Sequence, residues 1–499
     1  MTRLRFVLTL LLLAPAPLAF AQETPPAVSP AAAVSVSADL RGEYIQGEPI
    51  LIRFTVNNTG SEAARFSDLS RRPWQVRFDL TYPNGKQQSW FTTPPAVDSG
   101  EVWSIPPRGQ KRVLLEIPSS QRLAAGDYTL TVRLLNEGAE IVLPAHKLKI
   151  APAAPVAGNV YDEPLGLDRS GHQVVWVHKA SQGFDLYLHH ADPNTPTRTL
   201  GDYHLLHLDA LVRPVLTAAR PEERSDRFIY WQPDERTVQY VQLQSNALRS
   251  ATPQSFRTPY PKVELIGRGS TDTQGGLHVP LWIPAPSGSG GELRVASVRD
   301  RGGPVFRAVV RLPAKPSWVQ TAVDGNGDLR LILARDGVLD LYTLRAEGDL
   351  PASGVALYRP AKPAEGAAPP PTLTPTLARF GYRAGTNEEA GGMAVLVLLR
   401  SEVGLEARWL SLGGRELAAL AGVPLAADAT VIDALNIGDT GWGALVQTGG
   451  KTLYVSPGAE ALTLSSAAGT LTRTPKGAVL SRTLRSGGPI NNETLRAAP

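Results

Sequence analysis

Six of the chain's eight histidines fall in one stretch: His172, His178, His189, His190, His204 and His207. His204-x-x-His207 has a ligand-like spacing for a helix or turn, and Asp185, Asp202 and Asp209 stand near enough to complete a set. Zinc needs three or four converging N, S or O donors, and the chain has no cysteine. On one strand His172 and His178 share a face, whereas His189 and His190 point oppositely. The better expectation is therefore a polar funnel lined by partly exposed histidines, with His204 and His207 as candidate binding-surface residues.

A second candidate is Asp324-Gly325-Asn326-Gly327-Asp328. Oxygen donors two apart on a glycine-bearing turn resemble the start of a calcium loop, so Asp324, Asn326 and Asp328 are the candidate Ca²⁺ ligands. Counting Asp324 as position 1, position 12, where a bidentate Glu is needed, is Arg335, which favours a plain tight turn. No other cofactor is expected. Catalytic signatures are wanting as well. No G-x-S-x-G elbow opens a helix, no H-E-x-x-H occurs, and Glu222-Glu223 and Glu388-Glu389 read as solvated loops.

Rings are the third candidate. Trp176, Trp231, Trp282, Trp318, Trp409 and Trp442 recur along the C-terminal two thirds. Core packing suits Trp176, Trp409 and Trp442, while Trp282 and Trp318 are candidates for an exposed rim. Trp90, Phe91 and Trp103 flank a Pro-containing loop and mark an aromatic patch or a domain seam.

The elements that carry these residues read as strands throughout. Val34 to Ile150 alternates apolar and polar residues over about seven short strands. One is Ile50–Val56, with Ile50, Ile52 and Phe54 or their neighbours inward, and Pro83-Asn84-Gly85-Lys86 is a hairpin turn. From Asn159 a unit recurs: an alternating strand, a polar turn, then a strand with a large ring, at Tyr187, Tyr240, Tyr342, Trp409 and Tyr454. A less regular unit, with strands at Leu277–Ile283 and Leu293–Val298, sits between the second and third of these. The spacing of roughly 50 residues is near that of four-stranded propeller blades. Six units are visible. A seventh is available from Thr470–Arg485, from Val355–Phe380 or from the chain ends, with the C-terminal strand as a candidate to complete the first blade.

Before these units stands a leader. Met1–Arg5 is basic, Phe6–Leu13 is apolar, and Ala19-Phe20-Ala21 is a small-x-small cleavage site. The expected division is residues 1–21 signal peptide, 22–33 Pro/Ala-rich linker, 34–150 sandwich, 151–158 hinge, 159–486 repeats and 487–499 flexible tail. Removing Arg3 and Arg5 lowers the net charge of +4 to about +2. No dense basic run tracks a phosphate backbone, so nucleic acid is not an expected partner. No further stretch is long and apolar enough for a transmembrane helix, so none is expected in the mature chain. The expected location is periplasmic or secreted. Asn57-Asn58-Thr59 and Asn492-Glu493-Thr494 match glycosylation acceptors but read first as turns.

The wording GEPILIRFTVNNTG and AAGDYTLTVRL resembles bacterial immunoglobulin-like modules. Asp168-x-x-Gly171 and Asp324-x-x-Gly327, each followed by strand, glycine turn and Leu-Tyr, resemble the blades of TolB-like and WD40-like β-propellers. The resemblance implies an all-β chain: an immunoglobulin-like β-sandwich followed by a six- or seven-bladed β-propeller. It implies a non-enzymatic binding or scaffold protein whose propeller face or sandwich engages a protein partner in the bacterial envelope. Two alternatives stay open. One is a polysaccharide-acting hydrolase or lyase, with two carboxylates roughly 5 to 10 Å apart in the funnel and carbohydrate as ligand. The other is a structural part of an envelope or surface-appendage assembly.

Overall fold

The computed structural model describes residues 8–9, 34–96, 100–136, 138–161, 172–191, 199–217, 227–243, 252–272, 274–286, 288–299, 302–335, 337–346, 352–359, 373–383, 392–437, 441–464, 470–474, 477–483 and 490–497. Within them the regular structure is nearly all strand, and the only helical pieces are two three-residue 3₁₀ turns, Pro73–Gln75 and Ser120–Arg122. It divides into two compact units, Met1–Ala153 and Ala154–Pro499.

The first unit packs two main sheets over one core, to which a two-stranded third, Ala64–Ser67 with Val102–Ile105, also contributes. In the smaller sheet Val34–Asp39 and Gln110–Glu116 flank Leu51–Asn58, with Leu8–Thr9 beside Val34–Asp39. The larger runs in the order Glu43–Ile45, His146–Ala151, Gly126–Asn136, Val76–Thr81, Gln87–Phe91, and Ala139–Val142 also pairs with Gly126–Asn136. Alternation turns Ile52, Phe54 and Val56 of one sheet toward Phe78, Leu80, Leu130 and Val132 of the other, and all seven are buried in one cluster. Those side chains leave water together, and burying each contributes roughly 1.5–3 kcal/mol. The sequence pattern left open whether Ile50, Ile52 and Phe54 or their neighbours point inward; the first set does, and all three are fully buried.

The second unit holds seven successive antiparallel sheets among the described residues. Their first strands are Pro155–Tyr161, Val215–Leu216, Glu264–Leu265 with Ser270–Thr271, Trp318–Val323, Thr374–Arg383, Thr430–Ile437 and Thr470–Thr474. Strand order within each sheet follows chain order, as short hairpins require. The first strand of the seventh sheet lies beside the first strands of both the sixth and the first. Sheets arranged around a common ring of first strands make a β-propeller.

Burial follows position within each sheet. Second strands are covered on both faces by neighbouring sheets, so Gly392–Arg400 and Leu277–Pro284 are near-continuous buried runs rather than alternating ones. The outermost strand of the fifth sheet, Glu416–Pro424, is exposed or half-buried throughout. The recurring rings Tyr187, Tyr240, Tyr342, Trp409 and Tyr454 all fall on third strands, and the irregular unit supplies the second and third strands of the third sheet.

Three boundaries differ from the sequence reading. The hinge read over 151–158 is mostly strand: Ala151 ends one strand and Pro155–Tyr161 opens the first sheet. The stretch read as a loose tail contains Ile490–Ala497, which pairs with Gly477–Thr483. The C-terminal strands therefore build their own three-stranded sheet instead of completing the first one. Leu8–Thr9, in the stretch read as a leader, pairs with Ser35 and Val36.

Candidate functional site

The histidine-rich stretch forms the first sheet of the second unit. Trp176 and His178 on its second strand stand opposite Tyr187 and Asp185 on its third, and these stand opposite His204 and His207 on its fourth. His189 pairs with Asp202 in the same way. The register brings these side chains to one face. Val175, Val177, Leu186 and Leu206 pack on the other, against Leu216, Ile229 and Trp231 of the second sheet.

His204-x-x-His207 is neither helix nor turn. Leu186 pairs with Leu206 and Tyr187 with His204, which leaves Leu205 as the extra residue of a β-bulge. In a regular strand, residues three apart point to opposite faces. The bulge brings both rings to Asp185, whose Oδ1 lies 3.2 Å from His204 Nε2 and 2.9 Å from His207 Nδ1. Asp202 Oδ1 accepts from Trp176 Nε1 at 3.0 Å and lies 3.0 Å from His189 Nδ1. Tyr187 stacks on Trp176 at 4.9 Å between centroids and meets His204 edge-on at 5.4 Å. His189 and Trp176 are fully buried. The arrangement is a layered polar and aromatic seam whose acids serve its own rings, rather than an open funnel of ligands. The sequence alternation signals the shared face but not the bulge. His172 and His190 lie on the strands, with side chains outside the described residues.

The Asp324–Asp328 stretch is a turn joining the first two strands of the fourth sheet. Asp324 Oδ1 accepts the N–H groups of Asn326 at 2.9 Å and Asp328 at 3.1 Å, and its Oδ2 lies 2.6 Å from the Arg330 guanidinium. Asp328 Oδ1 accepts the Ala346 N–H at 2.9 Å. Arg330 supplies the positive charge at the place where the calcium reading puts an ion. No group of three or more His, Cys, Asp or Glu suited to hold a metal occurs among the described residues.

The same turn recurs at Asp272, which sequence reading missed because the run Thr271-Asp272-Thr273-Gln274-Gly275 lacks the asparagine-glycine signature. Asp272 Oδ1 accepts from Gln274 N at 2.9 Å and Gly276 N at 2.7 Å, and its Oδ2 lies 3.3 Å from His278 Nε2. Burial pushes this carboxyl up. The hydrogen bonds from His278, Gly276 and Gln274 and the charge of His278 overcome that and hold it well below the usual carboxylate range. Asp168–Gly171, the third copy in the sequence, lies outside the described residues.

Polar links tie consecutive inner strands together. Arg268 of the third sheet donates to the Leu216 and Thr217 carbonyls of the second at 2.9 and 3.2 Å, and its own carbonyl accepts Thr321 Oγ1 of the fourth at 2.9 Å. Gln320 Oε1 of the fourth accepts the Phe380 N–H of the fifth at 3.2 Å, and Arg379 of the fifth pairs with Asp433 of the sixth. Gly267 (φ +64°) lets the backbone come so close to the Val319 carbonyl that a Cβ would collide with it.

Of the ring candidates, Trp282 is only 3% exposed and packs with Leu293, Val319 and Leu331, so it belongs to the core between sheets and not to a rim. Trp318 is half-buried against the Ile332–Phe380 cluster. In the first unit Trp103 stacks on Phe66 at 6.4 Å, and Trp90 packs on the core. Phe91 is 55% exposed. It stands directly opposite Arg77, Arg77 opposite Arg133, and Arg133 opposite Val142, a row across four strands on the solvent face of the larger sheet. Val142 and nearby Leu135 are exposed as well. Asp79 anchors both guanidinium groups, at 2.8 Å from Arg77 and 2.6 Å from Arg133, and Ser89 Oγ donates to it at 2.6 Å. Partial burial raises the Asp79 carboxyl, but Ser89, Arg133 and Arg77 outweigh that and lower it. Sequence reading found Phe91 and missed its neighbours, which are remote in the chain and meet only through strand register.

The chain matches no protein-family model and no curated protein. It is similar to several solved structures. A catalytically inactive virginiamycin B lyase from Staphylococcus aureus with quinupristin is 12% identical at a TM-score of 0.39, over 69% of this chain and 96% of that one. The β-propeller domain of the Trilobed protease from Pyrococcus furiosus is 10% identical at 0.33, over 86% and 96%. An Aleuria aurantia lectin mutant in complex with Fucα1-6GlcNAc is 10% identical at 0.33, over 63% and 97%.

Proposed function

We infer that the chain is an exported, non-enzymatic binding protein of the bacterial envelope, an immunoglobulin-like sandwich followed by a seven-bladed propeller, whose sandwich engages a protein partner. The observation that carries this reading is the exposed row Phe91–Arg77–Arg133–Val142 with Leu135 beside it. Aromatic and arginine side chains ringed by aliphatic ones are the composition of interface hot spots. Asp79 holds both arginines in place before binding, which lowers the entropy lost on ordering them. The second unit supports a scaffold role. Its buried Asp185, Asp202, Asp272 and Asp324 each hold a ring, a turn or a guanidinium of the fold itself.

The test is affinity capture from native envelope extract with the full mature chain and with Phe91→Glu and Arg133→Glu. The expected result is a protein recovered by the wild type and lost at least tenfold with both variants. Equal recovery by all three chains refutes use of this face. Turnover of envelope polysaccharide by the purified chain refutes the non-enzymatic reading.

A further inference from the structure

The larger sheet of the first unit ends at Gln87–Phe91, whose sequence QQSWF carries no charge and no proline. Across the preceding turn the Tyr82 N–H donates to the Lys86 carbonyl. Bonded pairs of an antiparallel hairpin alternate, so the next ones are Leu80–Gln88 and Phe78–Trp90. The N–H and C=O groups of Gln87, Ser89 and Phe91 therefore point off the edge, and no described strand pairs with that side. The free edge of the smaller sheet, Gln110–Glu116, is guarded by Lys111, Arg112 and Glu116. Charges of that kind are how edge strands resist pairing. Gln87–Phe91 lacks the device.

We propose that two copies of this chain join through this edge, antiparallel about a two-fold axis at Ser89, into one sheet continuous across both. The strand is complementary to itself in that register. Ser89 faces Ser89 of the other copy and Gln87 faces Phe91, each a closely bonded pair, giving about six backbone hydrogen bonds. No like charges meet. The same register sets Trp90 opposite Gln88 of the second copy on the inner face. Trp90 Nε1 is buried without an acceptor in the single chain, and the Gln88 amide oxygen, which takes the Tyr82 hydroxyl at 2.9 Å, has a second lone pair to offer. The dimer sets the two Phe91-bearing rows side by side on one surface, so a partner that is itself repeated meets two sites at once. The inference stands whether or not those rows bind such a partner.

Sedimentation equilibrium of the full mature chain is the test, with Ser89→Lys, Ser89→Glu and an equal mixture of the two. The wild type is expected to sediment at twice the chain mass. Each variant alone places like charges on the axis and is expected to weaken dimerisation at least tenfold, while the mixture restores it by pairing Lys with Glu. A wild type that stays monomeric at about 100 µM, or a Ser89→Lys chain that dimerises as the wild type does, overturns the proposal. A gentler variant guards against misfolding. Because the chain has no cysteine, Ser89→Cys can be cross-linked only at position 89, and a bonded pair has a Cα separation of about 5.5 Å, within disulfide range. Oxidation is expected to give a covalent dimer with Ser89→Cys and none with Gln110→Cys. The reverse result places the contact elsewhere and ends the proposal.

Discussion

Replacing Asp272 tests whether the buried acids of the second unit are structural. Asp272→Ala removes the acceptor of the Gly276 and Gln274 N–H groups and the partner of His278 Nε2. Each buried donor left unsatisfied costs about 1–3 kcal/mol, and Gln274 is less buried than Gly276, so the sum is about 2–4 kcal/mol. Asp272→Asn keeps an oxygen for both N–H groups and loses only the charge facing His278 and Arg299, for about 1–2 kcal/mol. The assay is urea unfolding followed by tryptophan fluorescence, with Trp282 on the strand that leaves the turn as a near reporter. At a slope of about 3 kcal/mol per molar, Asp272→Ala lowers the midpoint by about 1 M. The pH dependence has a definite sign. Hydrogen bonds and charge hold the folded carboxyl low, so its contribution is complete above the unfolded value of about 4 and is lost as pH falls through the folded one. The gap between wild type and Asp272→Ala should therefore shrink as pH falls below about 4. A midpoint within about 0.2 M of wild type, an Asp272→Asn chain as damaged as Asp272→Ala, or a gap that widens as pH falls below about 4 would refute the reasoning.

Three further outcomes are expected. Asp202→Ala strands Trp176 Nε1 and His189 Nδ1 in the buried seam of the first sheet and should cost about 2–4 kcal/mol by the same unfolding measurement, against less than about 0.5 for an exposed control such as Glu416→Ala. Gly267→Ala drives a Cβ into the Val319 carbonyl at a left-handed backbone position; a melting-temperature drop of several degrees is expected, and an unchanged value would show that the third and fourth sheets separate freely there. Because Arg330 already neutralises Asp324, millimolar Ca²⁺ or a chelator should leave the melting temperature unchanged in differential scanning calorimetry, whereas a Ca²⁺-dependent rise abolished by Asp324→Ala would restore the calcium reading.

Local pattern carries much of this protein. The large ring on the third strands of five sheets and the paired strands at 277–283 and 293–298 were legible, because a two-residue period and turn residues act within one hairpin, whereas Thr470–Arg485 was one of three places from which a seventh unit was available. The turn at Asp324 was legible for the same reason, since its hydrogen bonds span only four residues. What the chain could not disclose depends on residues distant in sequence. The bulge at Leu205 that turns His204 and His207 to a common carboxylate depends on which residue of the neighbouring strand lies opposite. Trp282 looks the same in sequence whether it meets water or Val319, and only sheet packing buries it. The Phe91–Arg77–Arg133–Val142 row joins four strands by register alone. The sequence by itself determined the strands, their turns and their repeat, through short-range sterics and alternation. Which side chains share a face, and which of those faces water reaches, was decided by pairing and packing across the whole fold.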